Sequence, residues 1–307
     1  ALDAKTQALA TASADELQGA ELNSLTDIGA VGFIAGQVSI GSAADAANVT
    51  GKAKGIGTLG TAEGLDLNDN LEVASDANVS GSATIGSTAD AATTNGKAIA
   101  KSTSDIITGA DLLEGLVDIG GIGSIAGQAN FDLSASSSNV EGKLSKAVSS
   151  ADTSTGLIGK ETTNPEGTFG IDVASDSGLS GMAIGSLTAD ASSTAGATSA
   201  TAGDGDSAIG AQLPSLNVGG ISDLTGAAQL DSSATASNVG GVDETDATAK
   251  AGLGQDVTGL TTGLDETVNL ATPPVNSIGV TGTDFSSAAF NIDIASDSNL
   301  TAQGFSN

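Results

Sequence analysis

The chain has 307 residues and a net charge of −28, from 37 acidic and nine basic residues. It lacks His, Cys, Trp and Tyr, all its basic residues are lysine, and 43 residues are glycine. Without His or Cys it has no conventional catalytic triad, so we expect no enzyme. With few aromatic residues, any core must be thin and built from small side chains. The negative charge and the lack of a basic patch in the sequence argue against nucleic acid as a partner.

One motif recurs along the chain in a common frame. Its first hydrophobic residue stands at Leu2, Ile34, Val79, Ile125, Leu179, Leu224 and Leu300. An alanine follows ten residues later in every complete copy, and a glycine follows seventeen residues later. The last copy stops at Asn307, seven residues after its first position. This agreement of columns predicts a tandem-repeat architecture.

Most copies show the alternation of a strand. In the copy at Ile34, apolar residues or glycine occupy every second position, a period that predicts a β-strand. The phase breaks at "AN" or "SN" near the end of the motif, which predicts a turn or bulge followed by a second strand. The first copy, 2–19, is rich in helix formers, but the repeat frame favours a strand there too. In the copy at Leu179 the alternation slips at Ile184, which predicts a local bulge.

The segments that connect the motifs are of two alternating kinds. One resembles "DIGAVGF" and the other resembles "EVASDAN". We interpret the Ser–Asp pairs of the second kind as turn residues that bond the local backbone, with an ion or ligand ladder as the alternative. Residues 103–117 are compatible with one short helix. The connection 242–299, which contains "TPPV", is expected to add strands and a rigid turn.

Alternating strands with small side chains predict an all-β fold. We expect an elongated β-sandwich or barrel-like body built from tandem Ala- and Gly-rich strand repeats, with a β-solenoid as the alternative. The uneven motif spacing favours the sandwich. Residues 1–19 are expected to form an N-terminal exchange strand, and residues 20–307 the repeat body of three pairs, the last one truncated.

The stretch "LDLNDN" is a candidate calcium site. Asp66, Asn68 and Asp69 supply closely spaced oxygen atoms, which hard cations prefer. Residues 66–70 resemble the Asp-x-Asn-Asp-Asn linker of cadherins, and that resemblance implies calcium binding at these positions. It covers five residues, and the rest of the chain does not follow the cadherin pattern. A solvated loop is the alternative, and no other cofactor is expected.

The truncated last copy suggests a function in assembly. An unfinished strand leaves unpaired backbone groups, and proteins normally cover such an edge. We expect the N-terminal copy to fill that edge in the next subunit, giving a head-to-tail homopolymer. The predicted interface residues are Leu2, Ala4, Ala12, Ala14, Leu17, Leu300, Ala302 and Phe305. Closure within one chain is the alternative.

Composition also predicts the location. An acidic surface suits a salty exterior, and a start at Ala1 fits a mature secreted protein whose signal peptide has been removed. No apolar run is long enough to span a membrane. We therefore expect a pilus-like extracellular filament subunit at the cell surface, with polysaccharide as a further partner. The alternative is a cell-surface adhesin or a calcium-, glycan- or ice-binding β module.

Overall fold

The computed structural model describes residues 7–160, 169–204, 206–238, 247–253, 256–262, 276–282, 292–294 and 298–306. Every element in this part of the chain is a β-strand, so the all-β prediction is confirmed. The strands are β1 (Gln7–Leu22), β2 (Thr26–Ile28), β3 (Gly32–Leu67), β4 (Leu71–Val73), β5 (Ala77–Leu112), β6 (Val117–Ile119), β7 (Gly123–Asn139), β8 (Leu144–Gly159), β9 (Ile171–Val173), β10 (Ser177–Ser193), β11 (Ala197–Asp204), β12 (Ser207–Leu213), β13 (Leu216–Val218), β14 (Ser222–Asn238), β15 (Ala247–Leu253), β16 (Asp256–Thr262), β17 (Asn276–Gly282), β18 (Ile292–Ile294) and β19 (Ser298–Ser306).

The chain winds in coils that each contribute a long strand, a corner, a second long strand and a three-residue strand. Equivalent strands of successive coils pair in parallel. We call the first long strands the front layer: residues 32–50 of β3, residues 77–95 of β5, and β7, β10, β14 and β19. We call the second long strands the back layer: β1, residues 52–67 of β3, residues 97–112 of β5, β8, β11, β12, β15, β16 and β17. The three-residue strands form a separate six-stranded sheet.

Both layers belong to one curled thirteen-stranded sheet. Its parallel pairing argues against a plain β-sandwich, in which neighbouring strands are mostly antiparallel. The uneven spacing of the motifs did not discriminate between a sandwich and a solenoid, because the extra residues lie outside the motif strands. The paired front-layer strands keep one register, while the connection from β8 to β9 is longer than its equivalents and the segment between β16 and β18 contains the additional back-layer strand β17.

The corner between the layers needs glycine. Gly51, Gly96 and Gly196 have φ angles of 111°, 157° and 131°, which side chains rarely adopt. These glycines are stacked, and a methyl group at Gly96 would collide with the carbonyl oxygen of Gly51 below it. Beside the corner, Nδ2 of Asn139 donates to the carbonyl oxygens of Gly96 and Leu144. The predicted turn and second strand are therefore confirmed. The asparagine that breaks the alternation supplies a side-chain donor for backbone carbonyl groups at the corner.

Front and back layers approach closely along a second line of glycines. A Cβ atom at Gly81 would collide with the backbone of Gly109, and one at Gly109 would collide with the backbone of Gln128 and Gly156. This line, the glycine zipper, divides the core into two clusters. One cluster lies toward the corner and is mainly alanine, and the other lies toward the short strands and is mainly leucine, isoleucine and valine. The alanine column of the motif runs from Ala44 into the first cluster as Ala89, Ala135 and Ala189, with Ala234 packed against it.

The N-terminal copy belongs to the other layer. Its alignment with the motif at Ile34 is wrong, because Ala12 pairs with Gly57, Ala14 with Leu59 and Leu17 with Ala62 in the back layer. Residues 7–22 do form a strand, as the repeat frame indicated. The alignment failed because alternating alanine and glycine occur in both layers.

The predicted bulge at Ile184 is absent from the described strand. Residues of β10 pair without a break, with Ile184 opposite Asn130 and Gly185 opposite Phe131. Ile184 points outward and is 39% exposed, while Gly185 faces the core. The Phe131 ring occupies the space where a Gly185 side chain would lie. The slip in the alternation therefore arises because the large Phe131 side chain of one coil fills the core space that Gly185 leaves in the next coil.

The short helix considered for residues 103–117 is also wrong. β5 continues to Leu112, and a turn leads to β6 at Val117. Ile107, Ala110 and Leu112 are fully buried in the sheet and pair in register with β8. Pairing on both sides outweighs the local helix preference of this segment. Residues 242–299 do add strands, whereas "TPPV" lies outside the described residues.

Candidate functional site

The candidate calcium residues lie where the back layer ends. Asp66 is buried, and its Oδ2 accepts hydrogen bonds from Nε2 of Gln18 at 3.1 Å and Nδ2 of Asn68 at 3.0 Å. Gln18 also donates to Oε2 of Glu63 at 3.1 Å. The same Asn68 nitrogen is 3.2 Å from Oε1 of Glu21. Amide groups of two coils thus bridge the carboxylates of this corner.

Asp69 is not part of that network. Its Oδ1 accepts a hydrogen bond of 2.7 Å from the backbone N–H of Asn70, and Oδ1 of Asn70 accepts one of 3.0 Å from the backbone N–H of Leu116. These bonds stabilise the turn into β4. Among the described residues, no group of three or more acidic side chains is arranged to hold a metal ion. The structure thus brings Asp66 and Asn68 together and leaves Asp69 apart, and calcium binding stays a prediction.

Burial raises the pKa of several carboxyl groups in this corner. Desolvation raises the pKa values of Glu63 and Asp66, and the negative charges around them act in the same direction. Desolvation raises the pKa of Asp111 to about 6, although the backbone N–H of Leu113 donates to its carboxylate. Because the charged form is disfavoured in the folded protein, ionisation of these groups opposes folding.

We expect the protein to be more stable near pH 4 than at pH 7. The pKa of Asp111 is higher in the folded state, so the stability it contributes is present below its unfolded pKa and is lost as pH rises through about 6. An Asp111→Asn variant should gain roughly 2 kcal/mol at pH 7 and show a weaker pH dependence. Urea unfolding at several pH values measures this effect. Exposed Asp132→Asn is the control, and an equal gain in that variant would contradict the assignment.

The Ser–Asp pairs are turn residues, but their partners are in the next coil. Oδ1 of Asp76 accepts a hydrogen bond of 2.9 Å from the backbone N–H of Ile122, and Asp176 does the same for Ile221 at 2.9 Å. A side chain at Gly121 or Gly220 would collide with these carboxylates. This interaction explains why the two kinds of connection alternate. The aspartate of the second kind accepts a hydrogen bond from the glycine-containing turn of the first kind in the next coil. The third pair, Ser296–Asp297, lies outside the described residues.

The predicted interface residues lie at opposite ends of the stack of coils. Ala12, Ala14 and Leu17 are in β1, where they are partly buried at one end of the core. Ala302 and Phe305 are in β19 at the other end, where Ala302 packs against the second core cluster and Phe305 is 58% exposed. Leu300 pairs with Leu224 through the backbone. Leu2 and Ala4 lie outside the described residues.

Sequence analysis missed a cluster of lysines on the outer surface of the back layer. Six of the nine lysines project from the half of this layer next to the glycine corner: Lys52, Lys54, Lys97, Lys101, Lys146 and Lys250. The pattern "GKAKG" hinted at it, because lysines two residues apart in a strand share a face. Lys97 and Lys101 also share a face of one strand, but these pairs, Lys146 and Lys250 are far apart in sequence, so only the coil register brings them together. The conclusion that there is no basic patch is wrong.

Comparison with protein-family models, curated proteins and solved structures gave no match in any of the three. Within the described ranges, no helix has the length and apolar character required to cross a membrane. The function is therefore inferred from the fold and its surfaces.

Proposed function

We propose that the chain is a β-solenoid that serves as a structural subunit of a secreted extracellular filament, without enzymatic activity. The observation that carries this proposal is that the strands at the two ends of the stack are paired on one side only, among the described residues. Among the described residues, β1 pairs only with β3, and β19 pairs only with β14. Core residues at both ends are only partly buried. An edge of this kind readily adds a strand from another chain.

The two ends have matching registers in the front layer. Continuing the columns of the stack places Ile34 of a second copy beside Leu300, and Gly36 beside Ala302. At such a junction the inward columns continue with small or apolar residues opposite each other, as they do between coils of one chain. The contact is head to tail and does not close on itself, so it propagates into a fibre.

The position of β1 modifies the mechanism of assembly. This strand is paired along its length with its own chain, so subunits join by edge-to-edge stacking instead of by exchange of a free N-terminal strand. In the continued register, residues 8–14 of β1 in the second copy lie beside β15 of the first copy, in the back layer, and residues 16–22 reach the level of β17, which has to give way at the junction. Ala12 and Ala14 then remain interface residues beside β15 and away from Leu300, while Leu17 lies in the segment that competes with β17.

The acidic composition is compatible with an extracellular site, where salt screens repulsion between subunits. The outward columns of the front layer mix residue types, as in Asp45, Asp90, Ser136, Asp190 and Thr235. This mixture does not favour the ice-binding alternative, which needs a regular array. A polysaccharide partner stays a prediction.

We expect the purified protein to form fibres and an Ala302→Arg variant to stay monomeric. Ala302 faces the end of the core, so a charged side chain there blocks stacking. The matched control is Thr301→Arg on the same strand, whose side chain is exposed on the outer surface and should leave assembly intact. Sedimentation velocity measures the size of the assemblies. Fibre diffraction should show an axial repeat of about 29 Å, the height of six parallel strands. Monomeric wild-type protein, or equal assembly of both variants, would contradict the proposal.

A further inference from the structure

The outer surface of the back layer has two oppositely charged strips. The lysine strip consists of the six lysines named above. The columns that carry it, such as Leu9, Lys54, Ile99, Lys146 and Ser199, contain no carboxylate. An acidic strip follows along the same strands, and its exposed members are Asp15, Glu16, Asp105, Asp152 and Asp256.

A column of small hydroxyl residues separates the two strips. Ser13, Thr58, Thr103 and Ser150 are in register across β1, β3, β5 and β8. Lys101 precedes Thr103 by two residues, and Asp105 follows it by two. The charges are therefore arranged with opposite signs on the two sides of one line that runs along the stacking direction.

From this pattern we propose that two copies of the chain pair laterally through their back layers, about a two-fold axis that follows the hydroxyl column. Rotation about this axis places the lysine strip of each copy on the acidic strip of the other. An axis along the strands would instead place lysine on lysine. Charge complementarity thus selects one orientation, in which the stacks of both copies point in the same direction.

The surface has the size and composition of an interface between proteins. Six strands of about 16 residues cover on the order of 1,000 Å², compared with about 800 Å² per partner in a standard interface. Apolar side chains lie between the charges, and Leu9 and Ile106 are 58% and 46% exposed. A partner of one charge sign would satisfy only half of this surface, whereas a second copy satisfies both halves.

A cross-linking experiment tests the pairing independently of end-to-end assembly. The described chain has no cysteine, so Thr58→Cys introduces a single thiol on the axis, where it faces its own copy. A short bismaleimide should link this variant into dimers at 0.15 M NaCl. Thr88→Cys, on the exposed front layer, is the control and should give at least about tenfold less dimer. Equal yields from the two variants would overturn the proposal.

Charge reversal identifies the contacts. In the Thr58→Cys background, Lys54→Glu with Lys101→Glu should reduce dimer yield about tenfold or more, and so should Asp105→Lys with Asp152→Lys. Mixing the two reversed proteins should restore a heterodimer, because their strips are again complementary. A front-layer control with the same net charge as the first variant carries Thr88→Glu, Ser136→Glu, Ser180→Glu and Thr225→Glu, and it should keep its dimer yield.

The mixing experiment distinguishes this inference from its competitors. Absence of restored dimer would overturn the two-fold arrangement even if both reversed variants lose dimer. Thr58→Cys protein that stays unlinked but binds heparin through its lysines would assign the strip to a polyanion instead. Neither result bears on stacking at the ends, which the Ala302→Arg variant tests separately.

Discussion

A Gly109→Ala variant is expected to lose about 3 kcal/mol of stability, the upper part of the range for overpacking. Gly109 lies in the glycine zipper, and a methyl group there would collide with backbone atoms of Gln128 in the facing layer and of Gly156 in the neighbouring strand of its own layer. Both partners are held in parallel ladders, so neither can move without disrupting pairing in neighbouring coils. Urea unfolding followed by circular dichroism measures the loss.

Gly86→Ala is the matched control on the same strand. Gly86 points outward, and the nearest atom to a methyl group there is the carbonyl oxygen of Ile40 at 3.8 Å. Because alanine restricts the unfolded chain more than glycine does, this variant should be as stable as the wild type or more stable by up to about 1 kcal/mol. Equal stability of the two variants would show that the layers do not approach at the zipper.

The second large effect is expected where Phe131 fills the space beside Gly185. Gly185→Ile alone should cost about 3 kcal/mol, because the new side chain overlaps the Phe131 ring. Phe131→Ile alone should cost roughly 1 to 2 kcal/mol through the volume it removes from the core. The double variant should recover most of the stability, since isoleucine already occupies this column at Ile40 and Ile85.

A double-mutant cycle measures this compensation. The coupling free energy between the two positions should be about 2 kcal/mol in favour of the double variant. Ile184→Ala is a control beside Gly185, because its side chain points outward and should contribute little. Additive effects of Phe131→Ile and Gly185→Ile would contradict direct packing and would revive a bulge as the explanation of the irregular pattern.

Much of the fold could be predicted from local patterns. The alternation in "IAGQVSIGSAADA" predicted strands, and the alanine column through Ala44 and Ala89 is a column of the structure. The glycine at the end of the motif marks the corner, as Gly51 and Gly96 show. Such features are predictable because they depend on backbone geometry that each coil repeats.

Other features could not be predicted because they depend on which residues meet across coils. Residues 7–22 match the front-layer motif in composition, yet pairing with residues 52–67 places them in the back layer. Asp76 was recognised as a turn residue, but its partner Ile122 is in the next coil. For the candidate calcium residues, sequence proximity did not show that Asp69 would bond to Asn70 and leave Asp66 to Gln18 and Asn68.

A repetitive all-β chain with a thin core follows from the amino-acid sequence alone, because a period of two and small side chains allow little else. The parallel pairing of the strands depends on the three-dimensional arrangement, since an alternating strand can pair in either direction. The coil register also decided where the charges lie. Lys54 and Lys146 are far apart in sequence but share one column, because each coil adds a strand in register to the coil before it.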